Sequence, residues 1–149
     1  MNTKDMTEVA MRVKDQVIEV IEALEEADKS LDHLYKAEEL LKDAKGWGIA
    51  DIIGGGLFVT MIKRGKLREA QSELISARTH INRLLREMND VRSVDIIQIR
   101  TDGVAGFVDY MGDPISDIFV QSRIEEARSR VRETIEKIEA IKERLQMMV

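Results

Sequence analysis

Apolar residues recur at alternating steps of four and three along three separate stretches of this 149-residue chain. In the first stretch the positions are Met6, Ala10, Val13, Val17, Val20, Leu24, Ala27, Leu31, Leu34, Glu38 and Leu41, ten of the eleven apolar. In the second they are Leu67, Ala70, Leu74, Ala77, Ile81, Leu84, Met88 and Val91. In the third they are Val120, Ile124, Ala127, Val131, Thr134, Ile138, Ile141, Leu145 and Met148, with Ile135 beside the one polar member. A helix of 3.6 residues per turn carries such a repeat as one slowly drifting stripe. Facing stripes of this kind pack knobs into holes, as in a coiled coil.

The pattern therefore predicts an all-α fold of three long antiparallel helices in a coiled-coil-like bundle. The first helix is expected over about residues 4–45, the second over about 57–92 and the third over about 114–148, in one domain with a structured corner at each connection. At 1.5 Å per residue the first would be about 60 Å long and the others about 50 Å. Val9, Ile18, Ile21, Tyr35 and Leu40 widen the first stripe, as suits a helix touching two neighbours. Helices of matched length joined by turns fold back on one another. Asp113 and Pro114 would cap and open the third helix. Composition agrees with long helices: 34% of residues are charged, 4% are aromatic, and the chain has a single proline.

Cysteine is absent, which excludes disulfides, thiolate metal sites and cysteine nucleophiles. That usage suits a reducing compartment, and the acidic start Met1-Asn2-Thr3-Lys4-Asp5 has no apolar signal core, so a cytoplasmic location is expected. The net charge of −5 is uneven. Residues 1–45 hold 7 basic and 12 acidic groups, residues 66–92 hold 6 and 4, and residues 114–149 hold 7 of each. No stretch is basic enough to form a nucleic-acid surface.

Between the first two helices lies a glycine-rich corner, residues 46–56, from Gly46-Trp47-Gly48 through Asp51 to Gly54-Gly55-Gly56. Three readings compete. The corner could be an apolar cap over the bundle end, with the glycines permitting a tight turn. It could dock at a membrane surface through Trp47 and Phe58, since residues 46–62 carry Asp51 as their one charge and are flanked by Lys45, Lys63 and Arg64. It could bind an anion or small ligand on the backbone amides of Gly54, Gly55 and Gly56, although the lysine-hydroxyl ending of a P-loop is missing. Trp47, Asp51, Gly54, Gly55 and Gly56 are the candidate ligand-binding residues. Asp51 could equally cap the helix that follows.

The run Gly46-Trp47-Gly48…Asp51…Gly54-Gly55-Gly56…Met61-Ile62-Lys63, continued by Arg86-Glu87-Met88-Asn89-Asp90-Val91, Phe107-Val108-Asp109-Tyr110 and Asp117-Ile118-Phe119-Val120, resembles a group of uncharacterised bacterial helical proteins. The likeness spans roughly residues 35–130. It implies one domain with two structured corners, and no catalytic residue.

The second corner, residues 93–113, holds one basic and four acidic groups. It is long enough to carry structure of its own, a short helix over 104–111 or a hairpin at Thr101-Asp102-Gly103. Asp109, Asp113 and Asp117 recur every four residues and could hold Mg²⁺ or Ca²⁺. Against that, Asp113 and Asp117 are also ordinary helix-start residues, and no EF-hand spacing is present.

His33 and His80 stand outside any Glu-x-x-His motif and read as helix flanks. Ser72, Ser76 and Thr79 have no nucleophile elbow around them. No nucleophile, base and orienting group assemble, so the reading leans away from an enzyme, and no cofactor is expected. The expected function is a structural or protein-interaction bundle whose partner is another protein or a second copy of itself. The alternative is a peripheral membrane or anion-binding and small-ligand-binding protein acting through residues 46–62.

Overall fold

The computed structural model describes residues 2–54, 57–91 and 121–149, with side chains for 2–43, 64–89, 91 and 124–149. These residues form three α-helices: α1 (Thr3–Gly54), α2 (Leu57–Asp90) and α3 (Gln121–Gln146). Asn2 caps α1. Its Oδ1 accepts the Asp5 amide at 2.8 Å and its carbonyl accepts that of Met6 at 3.1 Å, satisfying two amides the first turn leaves open. At its C-terminus α3 tightens into i→i−3 bonds, with Met148 N donating to Leu145 O at 3.0 Å.

The 52 residues of α1 extend nine beyond the end expected at residue 45, so the first part of the glycine-rich corner is helical backbone. Each glycine costs a helix interior about 1 kcal/mol relative to alanine. Extending an existing helix is far cheaper than starting one, and Trp47, Ile49, Ala50, Ile52 and Ile53 between the glycines tolerate helix. Helix α2 keeps its expected start and ends two residues early. The expected start of α3 at residue 114 falls outside the described residues.

One continuous core runs along the bundle. Every seam position of α2 is buried, from Leu67 to Val91, and so is every seam position of α3 from Ile124 to Leu145. Thr134, the polar member of that seam, is buried at 3% exposure with its hydroxyl donating to the Arg130 carbonyl at 2.8 Å. The hydroxyl is thereby satisfied within its own helix.

Helix α1 is the spine, packing against both α2 and α3. Its buried set is wider than the four-three stripe. Val20, Ala27, Leu31, Leu34 and Leu41 are joined by Ala23, Ser30 and Ala37, while Ile18, Ile21 and Tyr35, expected to widen the stripe, are exposed. The widening is on the other side, where small residues let a neighbouring helix come close. Ser30 adds no unsatisfied group, since its hydroxyl donates to the Glu26 carbonyl at 2.7 Å.

Cross-helix polar pairs give the direction of each neighbour. Between α1 and α2, His33 meets Glu73 and Glu26 meets His80, so both pairs of numbers add to 106 and the helices are antiparallel. Between α1 and α3, Tyr35 meets Glu139, Glu38 meets Arg132 and Asp28 meets Lys142, sums of 170 to 174, again antiparallel. Hence α2 and α3 run parallel to each other. A chain of three helices linked only by turns would alternate in direction. Here Val91 lies level with residue 15 of α1 and Gln121 level with about residue 50, two points roughly 50 Å apart along the spine at 1.5 Å per residue.

Candidate functional site

The register that aligns α1 with α2 builds a crossed cluster of four side chains at mid-bundle. His33 Nδ1 donates to Glu73 Oε2 at 2.6 Å, and His80 Nδ1 donates to Glu26 Oε2 at 2.8 Å. The two imidazoles stack with centroids 5.4 Å apart and planes 7° from parallel. Each helix thus supplies one carboxylate and one imidazole, and each imidazole is oriented by the carboxylate of the other helix. The His80–Glu26 pair is the drier, with side chains 18% and 14% exposed against 27% and 28% for His33–Glu73. Lys29 Nζ stands 3.9 Å from the second oxygen of Glu26.

Neither histidine is the bare helix flank expected from its position. The signal was present in the chain: Glu26 and His33 are separated by seven residues, and so are Glu73 and His80, with the second pair 47 residues after the first. The buried positions obey the same offset. Val20, Ala23, Ala27, Ser30, Leu34, Ala37 and Leu41 correspond to Leu67, Ala70, Leu74, Ala77, Ile81, Leu84 and Met88. The α1–α2 pair is therefore related to itself by an approximate two-fold axis, and the histidine stack sits close to it.

Toward α3 the seam is flanked by polar contacts of a different kind. The Tyr35 hydroxyl donates to Glu139 at 2.7 Å, Lys142 lies 2.6 Å from Asp28, and Arg132 lies 3.5 Å from Glu38. The last pair accounts for the one polar residue in the first seam. The Tyr35 phenol is pushed up to about 12 by partial burial first, then by its bond to Glu139 and the charge of that carboxylate.

A second feature lies at the start of α1. Met6, Val9 and Val13 are 59%, 46% and 59% exposed, Ala10 is exposed, and Val17 is half-buried. Met6, Ala10, Val13 and Val17 occupy the same stripe as Val20, Leu24, Ala27 and Leu31, with Val9 at its flank. The stripe is uncovered because the described neighbours stop. On the registers above, the last residue of α2 is level with residue 16 of α1, and the last of α3 with about residue 25. The charges of this segment, Lys4, Asp5, Glu8, Arg12 and Asp15, fall on the remaining faces, with Lys14 at the edge of the stripe.

Of the residues expected to bind a ligand, Trp47 and Asp51 lie one turn apart on the backbone of α1 and Gly54 ends it. Their side-chain surroundings, together with Gly55 and Gly56, fall outside the described residues. So do Asp109, Asp113 and Asp117, the expected metal group, and the whole acidic corner. Among the described residues the carboxylates of Glu19, Glu22 and Glu87 have oxygens within 4.8 Å of one another. No described helix is long and apolar enough to cross a membrane. The hollows between described side chains are surface grooves bordered by charge, as along α3 at Glu125, Arg128, Arg132 and Glu133. No protein-family model, curated protein or solved structure matches this chain.

Proposed function

We propose that the chain is a non-catalytic helical scaffold, packed in the manner of a coiled coil, that engages a protein helix through the N-terminal segment of α1. One observation carries this reading: the stripe Met6–Ala10–Val13 is exposed although it continues, without change of period, the seam in which Val20, Ala27, Leu31, Leu34 and Leu41 are buried. An exposed contiguous apolar stripe bordered by polar residues is the mark of an interaction surface. An amphipathic helix is recognised through such i, i+3, i+4, i+7 anchors. The His–Glu cluster holds α1 and α2 in the register that leaves the stripe uncovered.

The test separates surface from core. Met6→Glu/Val13→Glu is compared with the wild type by urea unfolding at low protein concentration and by fluorescence of a hydrophobic dye. Expected is loss of dye binding with unfolding free energy changed by less than about 0.5 kcal/mol, the scale of surface substitutions. A drop of about 2–5 kcal/mol, the scale of core truncation, would make the stripe part of the fold and remove the proposal.

A further inference from the structure

Resting on that reading of the stripe, we infer that its occupant is the same segment of a second copy of this chain, lying antiparallel to it. The exposed seam belongs to the side of α1 on which α3 packs. Leu31 and Leu24 continue backward in steps of seven to Val17 and Ala10, and Leu34, Ala27 and Val20 continue to Val13 and Met6. Asp28, Tyr35 and Glu38, which flank Leu31, are the residues bonded to α3. The uncovered groove is therefore the continuation of a row that already accepts a helix antiparallel to α1.

The length of the row fits this same segment. Helix α3 ends level with about residue 25 of α1, and beyond it Met147 and Val149 are 74% and 64% exposed. Set Ala10 opposite Val13 of the second copy. Met6 then faces Val17, and Thr3 faces Val20, so each N-terminus arrives where the other copy's α3 stops. The exposed Met147 and Val149 would then cover the incoming first turn. The arrangement is two-fold symmetric, so each surface contacts its own copy, as a closed dimer requires.

Charge permits the pairing. In the antiparallel overlap the positions flanking the seam are Asn2, Val9 and Gln16 on one side and Thr7, Lys14 and Ile21 on the other. Lys14 is the one charged flank, and it faces Thr7. A partner of opposite charge is not called for, whereas an apolar, near-neutral helix of four to five turns is, and this segment is one. The overlap is short, at the small end of specific interfaces, below about 1,200 Å² in total. A reversible dimer with dissociation in the micromolar range follows, on the order of 1–100 μM.

The experiment uses the full chain. Sedimentation equilibrium from about 1 to 500 μM, spanning that range, is expected to show the mass rising from 17.0 kDa toward twice that value. Val13→Glu should weaken association at least about a hundredfold, because a charge would be buried without a partner. As the chain has no cysteine, Ala10→Cys and Val13→Cys report geometry directly. A mixture of the two is expected to form the disulfide between unlike chains faster than either forms it alone. Faster self-linking of Ala10→Cys would indicate a parallel pair and overturn the inference, as would a constant mass of 17.0 kDa at all concentrations. In a monomeric outcome, dye binding that Val13→Glu abolishes would leave the stripe standing as a surface for a different partner. Absence of dye binding as well would remove both readings.

Discussion

Removing one imidazole from the crossed cluster should cost more on the dry side than on the wet side. His80→Ala deletes a 2.8 Å bond to Glu26 and leaves a carboxylate only 14% exposed without that donor. His33→Ala deletes a 2.6 Å bond to Glu73, whose side chain is 28% exposed and can recover water. A net hydrogen bond to a charged group is worth about 1.5–3 kcal/mol and a neutral one about 0.5–1.5. Lys29, 3.9 Å from Glu26, offsets part of the loss on the dry side. The expected costs are about 2 kcal/mol for His80→Ala and about 1 for His33→Ala. The pairs meet through the stacked rings, so the double variant should lose less than the sum. Urea unfolding at constant m-value measures all three. Equal costs, the reverse order, or strict additivity would show that burial and ring contact do not govern this cluster.

Other substitutions follow from the same geometry. Gly65 sits in the interior of α2 with open space where a Cβ would be, so Gly65→Ala should stabilise by about 0.5–1 kcal/mol in thermal unfolding. Ile81→Ala, at a fully buried seam position, should cost about 2–5 kcal/mol, and Ile75→Ala, 54% exposed, less than about 0.5; similar costs would mean the face of α2 is misassigned. Because the Tyr35 phenol is raised from 10.0 to about 12 in the fold, its stabilising effect is complete below pH 10 and is lost as pH rises through 12. In a Tyr110→Phe background, phenolate absorbance should titrate near 12 and move toward 10 in Glu139→Gln; an unmoved midpoint would exclude the hydrogen bond as a cause.

The helices were legible because a four-three repeat states which side of a helix is apolar, and in α2 and α3 that side is the buried one. In α1 the same repeat was incomplete for a physical reason. Ala23, Ser30 and Ala37 are buried because α2 approaches closely, and small residues carry little hydropathy to advertise it. Direction is expected from the matched lengths and turns and not from the stripe, which is the same whichever way the neighbour runs. Helix α1 is antiparallel to each neighbour as expected, but α2 and α3 do not oppose one another. The Asp28–Lys142, Tyr35–Glu139 and Glu38–Arg132 contacts place α3 antiparallel to α1 and so parallel to α2. The His–Glu cluster combines groups 40 and 54 residues apart that meet only once the register is known. The exposed stripe of α1 has the same pattern as the buried one, because where a neighbour ends is a property of the neighbour.

Register is the variable that ties the cluster to the surface. Apolar seams alone specify it weakly, because sliding α2 by one heptad exchanges one set of apolar layers for another of similar size. The polar groups make the alternatives unequal. A slip of seven toward the start of α1 would change the paired sum from 106 to 99, setting Glu26 beside Glu73 and His33 beside Lys66. A slip the other way, to 113, would set His33 beside His80 and Glu26 beside Glu87. Either slip breaks both His–Glu bonds, about 1–3 kcal/mol each, and brings carboxylate against carboxylate, although the first sets His80 level with Glu19 and so recovers one imidazole–carboxylate pair. The first would also carry the end of α2 over Val13 and Val9 and begin to cover the stripe. A pair of hydrogen bonds at mid-bundle thus decides how much of the spine projects past its partners, and with it how much apolar surface a second helix can find.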